Sequence, residues 1–133
     1  MKDKDDISER LLLQRVRNRI TEVLDIASDI EAHYRFGGDE IINLWEDWVD
    51  EYRLNRYIEP VFSKSEQTAI KDFHRIWLYV CENTPQILPP VEELSRSDLW
   101  LQLIAIAQDS LSIMNERGKF SEETELTDDE LSQ

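Results

Sequence analysis

Cysteine and histidine are scarce in this 133-residue chain, and their scarcity excludes several kinds of site. Cys81 is the only cysteine, so no intramolecular disulfide can form and nothing points to an oxidising compartment. The only histidines are His33 and His74, which excludes any site that needs three. The sequence also lacks a glycine-rich phosphate loop, a nucleophile elbow and zinc-ligand spacing. We therefore expect no catalytic motif, no bound metal and no cofactor.

Long apolar runs are missing as well. No unbroken apolar run is longer than six residues, including the run over residues 103–107, whereas a membrane-spanning helix needs about 20 apolar residues. The charged start, MKDKDDISER, has no apolar segment of signal-peptide length. These two absences predict a cytoplasmic protein that does not enter a membrane.

Glycine and proline are few, at three and four residues, which predicts short loops and long helices. A content of 41% hydrophobic residues, including four tryptophans, is too apolar for a disordered chain. A chain of this length forms one domain by the usual size range. We expect an all-α domain over residues 1–118, followed by an acidic tail over residues 119–133.

The first predicted helix runs from about Asp6 to Tyr34. Its apolar residues recur at spacings of three and four, which draws one stripe along a helix and excludes a strand. They are Leu13, Val16, Ile20, Val23, Ala27, Ile30 and Tyr34. Gly37 and Gly38 end this helix, because glycine tolerates the left-handed conformation at a helix C-cap.

A second predicted helix, with Asp39 as its N-cap, extends to about Tyr52. Its inner face is apolar and aromatic, with Ile41, Trp45, Trp48 and Tyr52. The outer arc at 100° per residue is acidic, with Glu40, Glu46, Asp47, Asp50 and Glu51. Residues 53–62 should be irregular, and Arg53 and Arg56 there could bind an anion or pair with neighbouring acids.

Two further helices complete the prediction. Ser63 and Glu66 have the spacing of a capping box, which begins a third helix that extends to about Asn83. A proline-containing crossover over residues 84–94 follows, with one helical turn at its end. The fourth helix, capped by Ser95 or Asp98, runs to Arg117, and its first half has almost no polar side. We therefore predict a four-helix-type bundle with an apolar, central fourth helix.

The tail after Gly118 is rich in charge and poor in apolar residues. Six of its fifteen residues are acidic, and only two apolar residues follow Phe120. This composition is typical of a mobile segment. The alternatives are docking through Phe120 and ordering against a basic partner.

Acidic residues outnumber basic ones by 29 to 15, for a net charge of −14, and residues 37–62 hold seven acidic and two basic groups. Such a surface repels the phosphates of nucleic acids and anionic membranes. It attracts basic proteins and accelerates their arrival. The alternative is that the acidic surface only keeps the protein soluble.

Two acid-x-x-acid pairs form the sharpest enzymatic pattern, Glu22 with Asp25 and Asp47 with Asp50. All-helical nucleotide pyrophosphatases hold magnesium with carboxylates spaced in this way, and magnesium prefers oxygen ligands. However, both pairs point away from the apolar stripes of their helices. A monomer would hold them on surfaces facing in opposite directions.

The scarce reactive residues have structural interpretations. Asp29 and His33 lie one helical turn apart and could form a local hydrogen bond or half of a zinc site. His74, at the edge of an apolar stripe, should be hydrogen-bonded to a carbonyl, and Cys81 should be buried and unreactive. The aromatic residues should form core rather than a ligand pocket. They are Trp45, Trp48, Tyr52, Trp77 and Trp100.

These observations favour protein recognition through an acidic surface. The leading hypothesis is an inhibitor of the immunity or antitoxin type, monomeric or homodimeric, that neutralises a basic partner such as a nuclease, a step that rests on analogy. The expected contact residues are Glu46, Asp47, Asp50, Glu51, Tyr52 and Tyr57, the acids steering association and the tyrosines anchoring it. One alternative is a helical adaptor that self-associates through its first helix. The other is a magnesium-dependent nucleotide pyrophosphohydrolase that uses Glu22, Asp25, Asp47 and Asp50.

Overall fold

The computed structural model describes residues 8–132, and every regular element in that range is a helix. Three helices are long: α1 (Glu9–Ala27), α5 (Lys64–Glu82) and α7 (Asp98–Asn115). Five are short: α2 (Ile30–Phe36), α3 (Gly38–Glu46), α4 (Glu51–Leu54), α6 (Val91–Leu94) and α8 (Asp128–Leu131). The all-α prediction is confirmed. None of these helices combines the length and the apolarity that crossing a bilayer requires.

The long helices form the frame, with α7 packed against both α5 and α1 and α3 resting on α1. The predicted covering of α7 around most of its circumference is wrong. Leu103, Ala107 and Met114 are buried, but Leu101 is 46% exposed and Ala105 is also exposed. Only two long helices contact α7, so they cover one side of it. The described chain therefore has three main helices with shorter connecting helices rather than four.

The predicted first helix is two helices. α1 begins after its N-cap Ser8 and ends at Ala27, and the predicted start at Asp6 lies outside the described residues. Asp29 then caps α2, because its carboxylate accepts a hydrogen bond from the Glu31 N–H at 3.0 Å. Because the chain changes direction at this break, the apolar stripe of α1 does not continue into α2, and Ile30 and Tyr34 are exposed.

Gly37 and Gly38 have separate roles between α2 and α3. Gly37 has a φ of 82° and ends α2, as the sequence predicts. Gly38 begins α3, where a Cβ atom would lie only 2.6 Å from a methyl group of Leu94. Asp39 is not the N-cap; its carboxylate accepts instead from the Leu88 N–H at 3.2 Å. The glycine thus allows α3 to approach α6 closely.

The start of α5 is the best-predicted boundary. Ser63 and Glu66 form a reciprocal capping box, with the Glu66 N–H donating to Ser63 Oγ at 3.2 Å and the Ser63 N–H to Glu66 Oε1 at 3.1 Å. The helical turn predicted at the end of the crossover is α6. α7 is capped by Ser97, rather than Ser95 or Asp98, through the Trp100 N–H.

Glu66 also lies at the centre of a buried ion cluster. Arg17 Nη2 donates to Glu66 Oε2 at 2.8 Å, and Arg117 Nε donates to the same oxygen at 2.9 Å. The side chains of Arg17 and Glu66 are fully buried. Burial raises the pKa of the Glu66 carboxyl, but the hydrogen bonds from Arg117 and Arg17 outweigh it and lower the pKa below its ordinary value. The cluster joins α1, α5 and the end of α7.

The predicted mobile tail is wrong for residues 119–132, because this segment packs on α1. Phe120 is buried, with the Arg17 guanidinium 3.9 Å and the Arg117 guanidinium 4.9 Å from its ring centre. Leu131, in α8, is buried as well. The alternative prediction, docking through Phe120, is confirmed.

Two buried amide side chains of α1 fix the backbone of this C-terminal segment. Asn18 donates to the Phe120 carbonyl at 2.8 Å and accepts from the Phe120 N–H at 3.0 Å. Gln14 donates to the carbonyls of Ser121 and Thr124 and accepts from the Leu126 N–H, at 2.8–2.9 Å. The segment thus binds through its backbone groups as well as through the buried side chains of Phe120 and Leu131.

The ion cluster makes Glu66→Gln a severe substitution. It leaves two guanidinium groups without a carboxylate, and breaking a buried pair lowers the free energy of unfolding by about 3–5 kcal/mol. Urea denaturation at pH 7 measures this change. Glu82→Gln, the same change at the exposed end of α5, is the matched control and should stay near wild type. Equal stability of the two variants would contradict the role given to Glu66.

Candidate functional site

Four of the six predicted contact residues lie around one cleft, which we call the His74 cleft. Its volume is about 420 Å³, and it lies between the α3–α4 segment and α5. The lining residues are Glu46, Val49, Asp50, Glu51, Tyr52, His74, Trp77 and Leu78. Asp47, the fifth predicted residue, is exposed but does not line the cleft. The predicted acidic face therefore exists, and it borders a concave surface that the sequence did not indicate.

The α3–α4 segment is not one helix, and Arg53 stabilises the bend. Asp50 caps α4 by accepting from the Arg53 N–H at 2.7 Å and from Arg53 Nε at 2.8 Å. The other guanidinium nitrogens of Arg53 donate to the carbonyls of Asp47 and Glu46 at the end of α3. The hydrogen bonds from the backbone and side chain of Arg53 lower the pKa of Asp50. The carboxylate of Asp50 thus has a structural role at the start of α4.

The basic residues of this segment form ion pairs, as one of the two interpretations of the sequence anticipated. Arg53 pairs with Asp50, and Arg56 Nη2 lies 3.3 Å from a carboxylate oxygen of Glu9. Arg53 therefore donates its hydrogen bonds within the α3–α4 segment, while Arg56 pairs with Glu9. These contacts support ion pairing rather than an anion site.

The exposure predicted for Tyr57, the sixth contact residue, is wrong. This residue is only 5% exposed, and its ring stacks on Phe62 with the ring centres 4.9 Å apart. Its hydroxyl donates to the Trp48 carbonyl, and burial raises the pKa of this hydroxyl. Tyr57 holds the loop before α5 against the core. Tyr52, in contrast, is 74% exposed at the rim of the cleft.

His74 forms the floor of the cleft and is only 6% exposed. The sequence predicts a carbonyl partner for it, but its partner is an indole: Trp45 Nε1–H donates to His74 Nδ1 at 3.1 Å. The imidazole also stacks on Trp77, with the ring centres 5.4 Å apart and the planes 15° from parallel. Burial lowers the pKa of His74, although the negative charges of Glu51 and Asp50 oppose the shift. Since Nδ1 accepts, the proton of the neutral ring is on Nε2.

His33 forms a second tryptophan–histidine pair, in the core. Trp100 Nε1–H donates to His33 Nδ1 at 3.0 Å, and His33 Nε2 lies 2.8 Å from the Ala27 carbonyl, to which it donates. The predicted local bond with Asp29 is wrong, because the imidazole faces the core and is fully buried. Burial lowers its pKa. Both ring nitrogens of His33 are satisfied, which makes it structural.

The proposed magnesium ligands do not come together. Glu22 lies within 4 Å of Arg19 and Lys119, as ion pairs on the surface of α1, whereas Asp47 and Asp50 belong to the α3–α4 segment. Within residues 8–132, no group of three or more histidine, cysteine or acidic residues could hold a metal ion. The two acid-x-x-acid pairs therefore do not form a shared ligand group in the part of the chain that the structure describes.

The predicted burial of Cys81 is wrong, because its thiol is exposed in a groove between α3 and residues 84–88. Desolvation and the nearby carboxylates of Glu46 and Glu82 raise the pKa of the thiol, which disfavours the reactive thiolate. The aromatic residues behave largely as predicted. Trp45, Trp77 and Trp100 are buried, Trp48 is half-buried, and Tyr52 is exposed.

The two histidines predict a loss of stability in mild acid. Both have a folded-state pKa below the ordinary 6.5, so the unfolded chain binds more protons just below that pH. The free energy of unfolding should be flat above about pH 7. It should fall as the pH drops through 6.5 towards the lowered pKa values, by about 1.4 kcal/mol for each pKa unit of difference.

Thermal or urea denaturation between pH 8 and 5 measures this slope. The double variant His33→Gln, His74→Gln should be less stable at pH 7 but should lose most of the dependence between pH 7 and 5. An unchanged slope in this variant would show that other groups cause the acid sensitivity.

The His74 cleft combines a hydrogen-bond donor, an aromatic wall and carboxylates at one opening. Such a set can bind a cation and a neighbouring carbonyl oxygen, and it disfavours phosphate. Its titratable lining residues are His74, Tyr52 and the three acids Glu46, Asp50 and Glu51. No family model, no curated protein and no solved structure matches this chain significantly.

Proposed function

We propose that this protein binds a basic protein partner through the acidic rim of the His74 cleft and acts as an inhibitor of the immunity or antitoxin type. The partner would be a protein such as a nuclease, whose basic substrate-binding surface this chain covers. Occupying that surface excludes nucleic acid, because an acidic protein replaces the phosphates that the partner would otherwise contact. The bound form would be a one-to-one complex in the cytoplasm.

The unpaired acids around the cleft are the observation that carries the proposal. Glu46 and Glu51 are exposed at the rim, and neither forms an ion pair with any residue in the described range. No lysine or arginine lines the cleft. Charges free of local partners attract an incoming basic surface and steer its association. Tyr52 adds an exposed aromatic ring of the type that anchors interfaces.

The self-associating adaptor has less support. Its expected seam was the stripe along the first helix, but Ile20, Val23 and Ala27 are buried within the chain, against α3 and α7. The hydrolase alternative has no ligand cluster among the described residues. Protein recognition is therefore the function that the described surface supports best.

The test begins with the partner that co-purifies with the tagged full chain from its own cells. After identification, the pure partner is tested in stopped-flow association experiments over a range of salt concentrations. The triple variant Glu46→Lys, Asp47→Lys, Glu51→Lys should associate at least about tenfold more slowly at low salt, because steering contributes a factor of 10 or more. Its rate should also depend less on salt.

The matched control changes the same charge elsewhere, with Glu123→Lys, Glu125→Lys and Asp129→Lys in the exposed C-terminal segment. This control should associate at nearly the wild-type rate. For a nuclease partner, the wild-type chain should also inhibit cleavage with one-to-one stoichiometry. A partner without a basic surface, or equal rates for the two triple variants, would contradict the proposal.

A further inference from the structure

The imidazole of His74 has one polar atom that the rest of the chain does not use. Its Nδ1 accepts from Trp45, so its Nε2 carries the proton, and no residue in the described range accepts from Nε2. The only fully buried side-chain nitrogen or oxygen in that range without a partner is Arg19 Nε. Nε2 of His74 is therefore accessible to solvent, and the cleft is the place where the imidazole is exposed.

His33 shows that this unpaired donor is not required by the tryptophan–histidine arrangement. In the same pairing with Trp100, Nε2 of His33 donates to the Ala27 carbonyl inside the core. At His74 the corresponding position is open to the cleft. The Trp45 hydrogen bond and the stack on Trp77 hold the ring in place, so its N–H is oriented before any ligand arrives.

The remaining walls define what would bind beside this donor. Leu78 and the Tyr52 ring offer apolar surface at the opening. The carboxylates of Glu46 and Glu51 are free, whereas Asp50 is held by Arg53. The cleft thus offers one N–H for a carbonyl oxygen, a surface for a methylene chain, and two carboxylates for a cation. A volume of about 420 Å³ is at the small end of ligand pockets and suits one amino-acid residue.

We propose that the His74 cleft binds a single arginine residue of the partner protein. Its guanidinium pairs with Glu46 and Glu51 and lies against the Tyr52 ring, and its peptide carbonyl accepts the hydrogen bond from His74 Nε2–H. Arginine fits better than lysine because its planar guanidinium can serve two carboxylates and stack on an aromatic ring. This assignment rests on the proposed function and names the part of the partner that the cleft takes.

The experiment uses the full chain, labelled with ¹⁵N, and N-acetyl-arginine N-methylamide as the probe. The ¹⁵N signal of His74 Nε2 and the Tyr52 amide should shift saturably, while the signals of His33 should not move. The neutral citrulline analogue, which keeps the shape and the carbonyl, should bind at least tenfold more weakly. The lysine analogue should bind several-fold more weakly.

The double variant Glu46→Gln, Glu51→Gln changes only exposed side chains, so it should fold normally and bind the arginine probe at least tenfold more weakly. Glu123→Gln with Glu125→Gln, at exposed positions of the C-terminal segment, should bind as wild type does. Equal binding of the arginine, lysine and citrulline probes would overturn the assignment. The same holds if the arginine probe shifts the NMR signals of the Glu46→Gln, Glu51→Gln variant as it does those of the wild type.

The outcome also separates this assignment from the proposed function. If partner association depends on Glu46 and Glu51 but the arginine probe leaves His74 Nε2 unchanged, the arginine site is wrong and the acidic interface remains. If the probe binds the cleft as described but the partner associates without any effect of the charge reversal, the site stands and the proposed function fails.

Discussion

The buried Glu66 carboxylate is the group on which the rest of the structure depends. It caps α5, and it forms ion pairs with Arg17 from α1 and with Arg117 just after α7. The two guanidinium groups donate in turn to backbone carbonyls on either side, among them those of Val61 and Gly118. A buried charge without its partner is strongly unfavourable. The three long helices and the C-terminal segment are therefore joined at one point, and each contact there requires the others.

This internal use of arginine shapes the surface. Within residues 8–132, five arginine side chains donate hydrogen bonds to backbone carbonyls, and two of those are the partners of Glu66. The five are Arg10, Arg15, Arg17, Arg53 and Arg117. Most of the described acids are exposed, whereas the guanidinium groups of Arg17 and Arg117 face inward. The His74 cleft lies where exposed acids meet exposed aromatic surface.

Local signals in the sequence predicted part of the molecule. The capping box of α5 and the glycine at the end of α2 follow from spacing alone, as does the outward position of Glu46 and Glu51. The sequence did not predict the helix break after Ala27, because the apolar spacing continues by coincidence across Ser28 and Asp29. The sequence also did not predict the burial of Arg17 or the hydrogen bond from Trp45 to His74. Both depend on residues that are distant in the sequence. Polar residues with distant partners look like surface residues in a sequence.

The central claim is that buried polar side chains, rather than apolar contacts alone, hold the C-terminal segment on α1. Amide hydrogen exchange measured residue by residue tests it most directly, because the Phe120 and Leu126 amides donate to the side chains of Asn18 and Gln14. The account predicts that both amides exchange as slowly as those in the middle of α1, through opening of the whole structure. Exchange of both at the rate of an unstructured peptide would contradict it.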